Sequence, residues 1–278
     1  ILPKNEAIMD SIHVTNYEPN IGLGLRIALV TDMHSMPYDE LLMLLTKESP
    51  DAILLSGDTL ERHEEGKSEW NFLSMEQWQF LPEMKGPMVS LMRVLDRLVE
   101  HKGIEAEEEE DLGLAFLRDI SKLAPVFMSV GNHEWYFTAE DERFFVDHNI
   151  TVLDNADVQV TITGKKLRIG GLSTRYDLDW LEEYARKEGT KILLCHHPEH
   201  YKYKIKDRKT DTFDLVLSGH YHGGQWRIGN VGVYVPRIGL MIPKVKGKFG
   251  KHIISAGVSN TTRFPRLGNP RELVMINI

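Results

Sequence analysis

The sequence has little of what would link the chain to disulfides, membranes or nucleic acid. Of its 278 residues, only Cys195 is a cysteine, which excludes an internal disulfide and agrees with a reducing compartment without establishing one. No apolar run reaches the ~18–20 residues that a membrane-spanning helix needs. Acidic residues outnumber basic ones by 41 to 33, which makes nucleic acid an unfavoured partner. The best local basic cluster, KYKIKDRK at 202–209, is interpreted as a solvated surface segment.

Internal repeats and long low-complexity linkers are also missing from the sequence. We therefore expect one domain, 1–278, with ample length for a sizeable core. The chain begins at Ile1 rather than at Met, so we expect a processed or trimmed product from which a signal peptide or membrane anchor could have been removed. Localisation stays open, with membrane association of a longer form as one alternative.

The dominant pattern is a short apolar, β-branched run that ends in polar residues and is followed by a helical stretch. Such runs occur in LRIALVTDMHS, DAILLSGDT, APVFMSVGNHEW, KILLCHHPEH and FDLVLSGHYH. They are typical of strands buried on both faces, whereas turn-rich segments such as VQVTITGKKLRIGGLS indicate antiparallel or edge strands. We predict an α/β protein with two mixed β-sheets packed as a sandwich and flanked by helices.

One region departs from this pattern, between the second and third of these strands. Residues 60–112 hold a Trp- and Phe-rich stretch, an amphipathic segment that predicts a helix, and the acidic run EAEEEED. We interpret the region as a helical insertion that packs on the edge of the core. The alternative is a cap that lines a substrate pocket with Trp70, Trp78 or Phe80.

The apolar runs share a further property, because each of them ends in Asp, Asn or His. The strand-end side chains are Asp32, His34, Asp58, Asn132, His133, His196, His197, His220 and His222. Ligands of open α/β sheets bind outside the carboxyl ends of the strands, so we expect these ends to converge on one rim. Each motif alone is weak evidence; only G-H-x-H stands out by itself, because side chains two residues apart in an extended segment point the same way.

Taken together, these strand ends predict a metal site. Six of the twelve histidines lie in them. Imidazole with carboxylate is a ligand set for Zn²⁺, Fe or Mn²⁺ rather than for Ca²⁺. About eight ligands are too many for one ion, so two divalent metals are the economical interpretation, with one carboxylate that bridges them.

The ordered set D-x-H, G-D, G-N-H-E, H-x-P and G-H-x-H resembles the calcineurin-like metallophosphoesterase family, from about Leu25 to the C-terminus. The form GHYHGGQ is similar to a bacterial phosphodiesterase subgroup of that family. The resemblance implies a set of metal ligands: Asp32, His34 and His222 for one ion, Asn132, His196 and His220 for the other, and Asp58 for both. It also implies that His133 is the general acid and that His197 lies beside the site or at the surface.

The same resemblance implies a hydrolase in which a metal-bridging hydroxide attacks a phosphodiester or pyrophosphate. Lipid-linked and nucleotide-linked substrates both remain open, as do a phosphomonoesterase and a non-catalytic metal-binding scaffold. Arg263 is a candidate contact for a substrate phosphate, with a surface salt bridge as the alternative. Glu134 is interpreted as a residue that orients His133 or caps a following helix.

Overall fold

Two six-stranded sheets form the centre of the protein. The computed structural model describes residues 11–62, 95, 111–236, 238–262 and 264–278. In chain order its strands are β1 (His13–Tyr17), β2 (Arg26–Val30), β3 (Ala52–Ser56), β4 (Val126–Ser129), β5 (Ile150–Leu153), β6 (Ala156–Ile162), β7 (Lys165–Leu172), β8 (Lys191–Cys195), β9 (Leu215–Ser218), β10 (Trp226–Ile228), β11 (Val231–Val235), β12 (Gly239–Pro243), β13 (Gly247–Phe249), β14 (His252–Ile254) and β15 (Glu272–Asn277). The helices are α1 (Asp39–Glu48), α2 (Leu112–Ile120), α3 (Ala139–Asp147), α4 (Leu178–Arg186) and the single turn α5 (Pro198–His200), which continues into a π-helix at Tyr201–Ile205.

Both large sheets are mixed, as the sequence predicts. The first has the order β1-β15-β2-β3-β4-β5, in which only the pair β15–β2 is antiparallel. The second has the order β13-β14-β9-β8-β7-β6, with antiparallel pairs at its two edges and parallel strands between them. A small antiparallel sheet, β10-β11-β12, lies apart from both.

Alternation along the strands divides the core into layers. In β3, Leu54 faces the second sheet, whereas Ile53 and Leu55 face the helices on the opposite side, since successive side chains of a strand point to opposite faces. Helices α1 and α2 cover that outer face with residues such as Leu45 and Phe116. Helix α4 covers the outer face of the second sheet. The result is a four-layer α/β/β/α sandwich, which confirms the predicted fold class.

The interpretation of residues 60–112 as a helical insertion lies mostly outside the described residues, as do Trp70, Trp78 and Phe80. The two ends of the segment are described, and they meet. The Arg62 guanidinium lies 2.7 Å from a carboxylate oxygen of Asp111, and the Arg62 amide donates to the carbonyl of His133. Asp111 also accepts from Gly113 and Leu114 and so caps α2. The segment therefore starts beside His133, a strand-end residue of the predicted site, and its other end returns to Arg62. Within the described part of the chain, no helix combines the length and apolarity that crossing a bilayer requires.

Candidate metal centre

The strand-end residues of the first sheet lie on three loops that leave adjacent strands. Asp32 and His34 follow β2, Asp58 follows β3, and Asn132 with His133 follows β4. Because β2, β3 and β4 are parallel, their carboxyl ends meet at the same edge. All of these side chains except His133 are at least nine-tenths buried.

The second sheet brings its own strand ends to the same place. His196 and His197 follow β8, while His220 and His222 follow the neighbouring strand β9. The sheets are joined at this edge by hydrogen bonds, since the amide of His220 donates to Asp32 Oδ1 at 2.9 Å and His196 Nδ1 donates to the carbonyl of Ser56 at 2.7 Å. The site therefore lies at the seam between the sheets.

The backbone at this seam adopts a conformation that most residues avoid. Five of the predicted ligands have positive φ, between +47° and +67°: Asp32, His34, Asp58, His220 and His222. Non-glycine residues in this region cost on the order of 1–3 kcal/mol, and such strain clusters at functional sites. Close approach also requires glycine at Gly219, where a Cβ atom would lie 2.6 Å from Asp32 Oδ2. The fold thus tolerates local strain in order to hold these side chains.

One group of side chains contains Asp32, His34 and His222, the set that the resemblance implies for the first ion. Their ligand atoms all lie within 4.8 Å of one another. His222 Nε2 is 3.6 Å from Asp32 Oδ1 and 3.3 Å from His34 Nε2. Burial, together with the nearby His34 ring, lowers the pKa of His222 well below its usual value, so this imidazole is neutral and available as a ligand.

A second group lies on the other side of Asp58. His196 Nε2 is 3.0 Å from Asp58 Oδ2 and 3.2 Å from Asn132 Oδ1, and the rings of His196 and His220 lie 5.1 Å apart between centroids. Burial opposes the protonation of His196, but Asp58 outweighs it and raises the pKa of His196 to about 9. Because His196 donates its Nδ1 proton to a carbonyl, Nε2 of the neutral ring has a lone pair that faces the Asp58 carboxylate. A proton on Nε2 or a cation between the two groups is needed to offset this repulsion.

Asp58 is the residue common to both groups. The distance from Asp58 Oδ2 to His34 Nε2, in the first group, is 3.8 Å, against 3.0 Å to His196 in the second. Burial alone would raise the pKa of Asp58, but His196, His133 and His34 together hold it well below its usual range. Asp58 is therefore an ionised carboxylate between two sets of imidazoles.

His133 lies beside these groups and is held by a residue that sequence reasoning missed. Glu61 contacts His133 Nδ1 at 2.9 Å and His34 Nδ1 at 2.7 Å, while His133 Nε2 faces Asp58 Oδ2 at 3.9 Å. Burial opposes the protonation of His133, but Glu61 and Asp58 outweigh it and raise its pKa to about 9. The spacing G-D-x-x-E is the only signal in the sequence that could have pointed to Glu61.

Glu134 has neither of the roles expected from the sequence. Its buried carboxylate accepts hydrogen bonds from the backbone amides of Asp58, Thr59, Leu60 and Gly131, at 2.5–3.0 Å. The next helix, α3, is capped instead by Thr138. Burial and the charge of Asp58 raise the pKa of Glu134, which the hydrogen bonds from Leu60 and Gly131 oppose. Glu134 thus fixes the loop that presents Asp58.

His197 and Arg263 complete the account of the residues singled out in the sequence. His197 is buried rather than at the surface; its Nε2 lies 3.1 Å from Thr174 Oγ1 and its Nδ1 lies 3.1 Å from Glu199 Oε1. His196, His197 and His220 together form a group that could hold an ion. His196 is the better placed of the first two, because its Nε2 faces the predicted ligands Asp58 and Asn132, whereas the partners of His197 lie outside the predicted set. Arg263 lies outside the described residues, and its contact with a phosphate stays a prediction.

The residues present fit a divalent metal. Asp32 Oδ2 is completely buried and has no hydrogen-bond partner within the described part of the chain, which is costly for a carboxylate unless a cation compensates it. His196 donates its Nδ1 proton to a carbonyl and turns Nε2 to the site, as metal-binding histidines do. Carboxylate, amide oxygen and neutral imidazole together suit Mn²⁺, Fe or Zn²⁺.

Sequence comparisons identify several proteins related to this chain. YpbG, an uncharacterized protein of Bacillus subtilis strain 168, is 32% identical over 162 residues, which are 55% of this chain and 58% of that protein. The uncharacterized metallophosphoesterase Cj0846 of Campylobacter jejuni is 24% identical over 225 residues, 74% of this chain and 46% of that protein. The chain spans between 28% and 58% of the length of the curated relatives it matches.

Solved structures resemble this chain only distantly. The phosphopantetheinyl hydrolase PptH of Mycobacterium tuberculosis has a TM-score of 0.39 and 10% identity, covering 83% of this chain and 92% of that chain. The family model for the calcineurin-like phosphoesterases, in contrast, matches residues 25–224, which include every strand-end residue of both sheets. The chain therefore belongs to the calcineurin-like phosphoesterase family.

Proposed function

We propose that the protein is a metal-dependent phosphoesterase that hydrolyses a phosphodiester or a pyrophosphate with two divalent ions. The observation that carries the proposal is the position of Asp58, whose ionised carboxylate lies between His196 on one side and His34 on the other. A carboxylate shared by two sets of nitrogen ligands is the arrangement of hydrolytic two-metal sites.

The ligand sets follow from the two groups of side chains. Asp32, His34 and His222 would hold one ion, and Asn132, His196 and His220 the other, with Asp58 as the bridge. When bound, two such ions lower the pKa of a water molecule, polarise the phosphoryl oxygens and offset the charge of the transition state. The protein's contribution is to hold these ligands at the seam between two rigid sheets, so that little reorganisation is needed during the reaction.

His133 is the proposed general acid. It is partly exposed, with 14% of its side chain accessible against 2% for His34, and its Nε2 lies 3.9 Å from Asp58 Oδ2. Glu61 fixes the ring by accepting from Nδ1, so that the Nε2 proton can pass to a leaving alkoxide. Cations bound at Asp58 would offset part of the negative charge that raises the pKa of His133, and so would bring this pKa towards the working range of an acid.

One experiment distinguishes the proposed activity from two alternatives, a phosphomonoesterase and a scaffold that binds metal without turnover. The protein is stripped with a chelator and reconstituted with Mn²⁺. Hydrolysis of bis(p-nitrophenyl) phosphate and of p-nitrophenyl phosphate is then measured for the wild type and Asp58→Asn. We expect metal-dependent turnover of the diester that Asp58→Asn lacks.

The other outcomes are equally informative. Turnover of the monoester alone would establish the phosphomonoesterase. A dinucleotide pyrophosphate is assayed in the same way. Bound metal without hydrolysis of this compound or of either ester would favour the scaffold. The presence of all seven predicted ligands and of His133 is the reason to expect activity, because a scaffold is under no requirement to keep the acid.

A further inference from the structure

The small sheet β10-β11-β12 packs one of its two faces against the loop that carries the GHxH histidines. A Cβ atom on Gly224, two residues after His222, would lie 2.8 Å from the Cα atom of Gly232 in β11. Tyr234, two residues further along β11, is completely buried. Since alternate residues of a strand share a face, Gly232 and Tyr234 mark the packed face of this sheet.

The opposite face of the small sheet is apolar and accessible. The register pairs Val231 of β11 with Ile228 of β10 and with Pro243 of β12. Met241 lies between the next two pairs of β11 and β12, opposite Val233. Ile228 is 76% exposed and Met241 is 64% exposed, while the other three residues are half-buried or exposed. These five residues form the apolar face of the small sheet: Ile228, Val231, Val233, Met241 and Pro243.

This composition is unusual for an accessible face. An antiparallel sheet with one packed face normally has polar side chains on the other, as the edge strand β6 does at the exposed residues Gln159 and Thr161. Met241 also has a φ of +56°, which large non-glycine residues avoid and which clusters at functional sites. An exposed apolar patch of this kind indicates a surface that binds another partner.

Charge is distributed unevenly along the chain, and the basic part includes the small sheet. Residues 198–251 hold eleven Lys and Arg against four Asp and Glu, a formal charge of +7. The rest of the chain holds 22 Lys and Arg against 37 Asp and Glu, a formal charge of −15. A partner of the basic part is therefore expected to be anionic.

Three exposed lysines lie at the edge of the apolar face. Lys244 follows Pro243 at the end of β12, and both residues line a cavity that Lys202 and Lys206 also line. Among the described residues, none of these three lysines forms an ion pair with an acidic side chain. The basic segment 202–209, interpreted from the sequence as a solvated surface segment, therefore brings two positive charges beside the apolar face.

We propose that the apolar face docks on the surface of a bilayer that contains anionic lipid. Ile228 and Met241 enter the boundary between the headgroups and the acyl chains, and the three lysines meet the headgroups. Apolar side chains next to positive charge are the combination that such a surface attracts. The docking is separate from the proposed function, because it does not require turnover.

The size of the apolar face favours a bilayer over a second copy of the chain. Neighbouring strands lie ~4.8 Å apart and rise ~3.3 Å per residue, so three strands of three to five residues offer about 200 Å². A stable protein interface buries ~800 Å² on each partner. A bilayer needs no complementary surface of that size, because a few inserted side chains and the attraction between lysines and headgroups act together.

The test is sedimentation of the full chain with sucrose-loaded vesicles. One set of vesicles contains phosphatidylcholine alone, and the other contains phosphatidylcholine and phosphatidylglycerol at about 2:1. We expect the anionic vesicles to bind the protein at least about tenfold more strongly, and added salt to weaken this binding because it screens the lysines. Excess inorganic phosphate at constant ionic strength should leave the binding unchanged, since the apolar face lies outside the metal centre.

Two matched pairs of variants locate the binding. Met241→Glu is compared with Met43→Glu in α1, where the native side chains are 64% and 63% exposed. Ile228→Glu is compared with Val146→Glu in α3, where both native side chains are 76% exposed. The first variant of each pair should bind anionic vesicles about tenfold more weakly or worse, because it places a charge at the apolar boundary. The second should bind as the wild type does.

A third pair tests the lysines. Lys206→Glu and Lys165→Glu make the same change in net charge at exposed positions. Lys206 lies beside the apolar face, whereas Lys165 begins β7, near the edge of the second sheet that is opposite β13. Only Lys206→Glu should weaken binding to anionic vesicles, by about three- to tenfold.

Several results overturn the proposal. They are the absence of binding to anionic vesicles, equal binding to both kinds of vesicle, binding that inorganic phosphate abolishes, and equal effects within the matched pairs. Analytical ultracentrifugation tests the alternative occupant: a dimer that Met241→Glu dissociates and Met43→Glu does not would assign the apolar face to a second copy. Since the readout is binding and not turnover, an inactive enzyme that still binds anionic vesicles would reject the proposed function alone.

Discussion

The two sheets supply the site with different chemistry. The loops of the first sheet bring all of the predicted oxygen ligands, Asp32, Asp58 and Asn132, together with His34. The loops of the second sheet bring imidazoles alone: His196, His220 and His222. Neither half is a complete site, because carboxylates without nitrogen ligands favour Mg²⁺ or Ca²⁺, and imidazoles alone leave the charge of the cation unbalanced.

Each half also has one carboxylate that contacts two imidazoles from outside the cluster. In the first sheet's half, Glu61 contacts His34 and His133. In the second sheet's half, Glu199 contacts His197 and His220. The two halves are thus supported separately, and they are coupled by contacts across the seam, such as those of Asp58 with His196 and of Asp32 with the His220 amide. The effect of a substitution should therefore depend on where the residue lies: at the seam between the sheets, in the loops of one sheet, or at a supporting carboxylate.

The largest effect is expected at the seam. Asp58→Ala removes the proposed bridge between the two groups of ligands, so metal-dependent hydrolysis should fall by about 10³-fold or more, with loss of bound metal measured by atomic emission. The matched control is Asp51→Ala at the opposite end of β3, where the carboxylate only accepts from the Arg26 amide. Full activity of the Asp58 variant would contradict the bridging role.

The next effect concerns the first sheet's half alone. His133→Ala should lower turnover of esters with poor leaving groups by ~10²–10⁴-fold and should leave the metal content unchanged, because its proposed role is to donate a proton without binding an ion. A substrate with a good leaving group, such as an aryl ester, should be affected much less. If the variant lost its metals, His133 would be a ligand and the assignment of the acid would be wrong.

A smaller effect separates the two supporting carboxylates. Both variants should weaken metal binding by ~10–100-fold, Glu61→Gln through His34 and Glu199→Gln through His220. At saturating metal, Glu61→Gln alone should also reduce kcat by ~10-fold, because the neutral amide orients His133 less firmly. Metal titrations and steady-state kinetics on both variants distinguish these roles. Identical profiles for the two would remove the distinction between the halves.

The strands of the two sheets also differ in how well the sequence predicts them. Strands such as β3 were recognisable because both faces are buried, so that Ile53, Leu54 and Leu55 form a continuous apolar run. Strand β1 was missed, since its residues are half-exposed and polar and its parallel partner β15 lies at the other end of the chain. Local periodicity does not contain that information.

The same limit applies to the site. The strand-end residues could be predicted because the topology of parallel strands gathers them without any knowledge of distance. The supporting carboxylates could not, because their partners are set by long-range geometry. Glu134 accepts from amides about 75 residues away in sequence, and Glu61 reaches His133 only after the chain turns through Asp58 at positive φ.

The smallest expected effect concerns the pH dependence of the free energy of unfolding. It comes from a histidine of the second sheet that is not a predicted metal ligand. His252 in β14 is buried, its Nε2 lies 2.8 Å from Ser218 Oγ, and burial, assisted by Lys206, lowers its pKa to about 3. The unfolded chain, with an ordinary histidine pKa of about 6.5, binds more protons between these values, so the free energy of unfolding falls as the pH drops from about 6.5 towards 3, by at most ~1.4 kcal/mol per pH unit from this residue. His252→Gln keeps an N–H donor for Ser218 and does not titrate. Urea unfolding from pH 7 to 4.5 should therefore show a shallower loss of stability for His252→Gln than for the wild type. Parallel curves would mean that His252 takes up its proton at the same pH in the folded protein as in the unfolded chain.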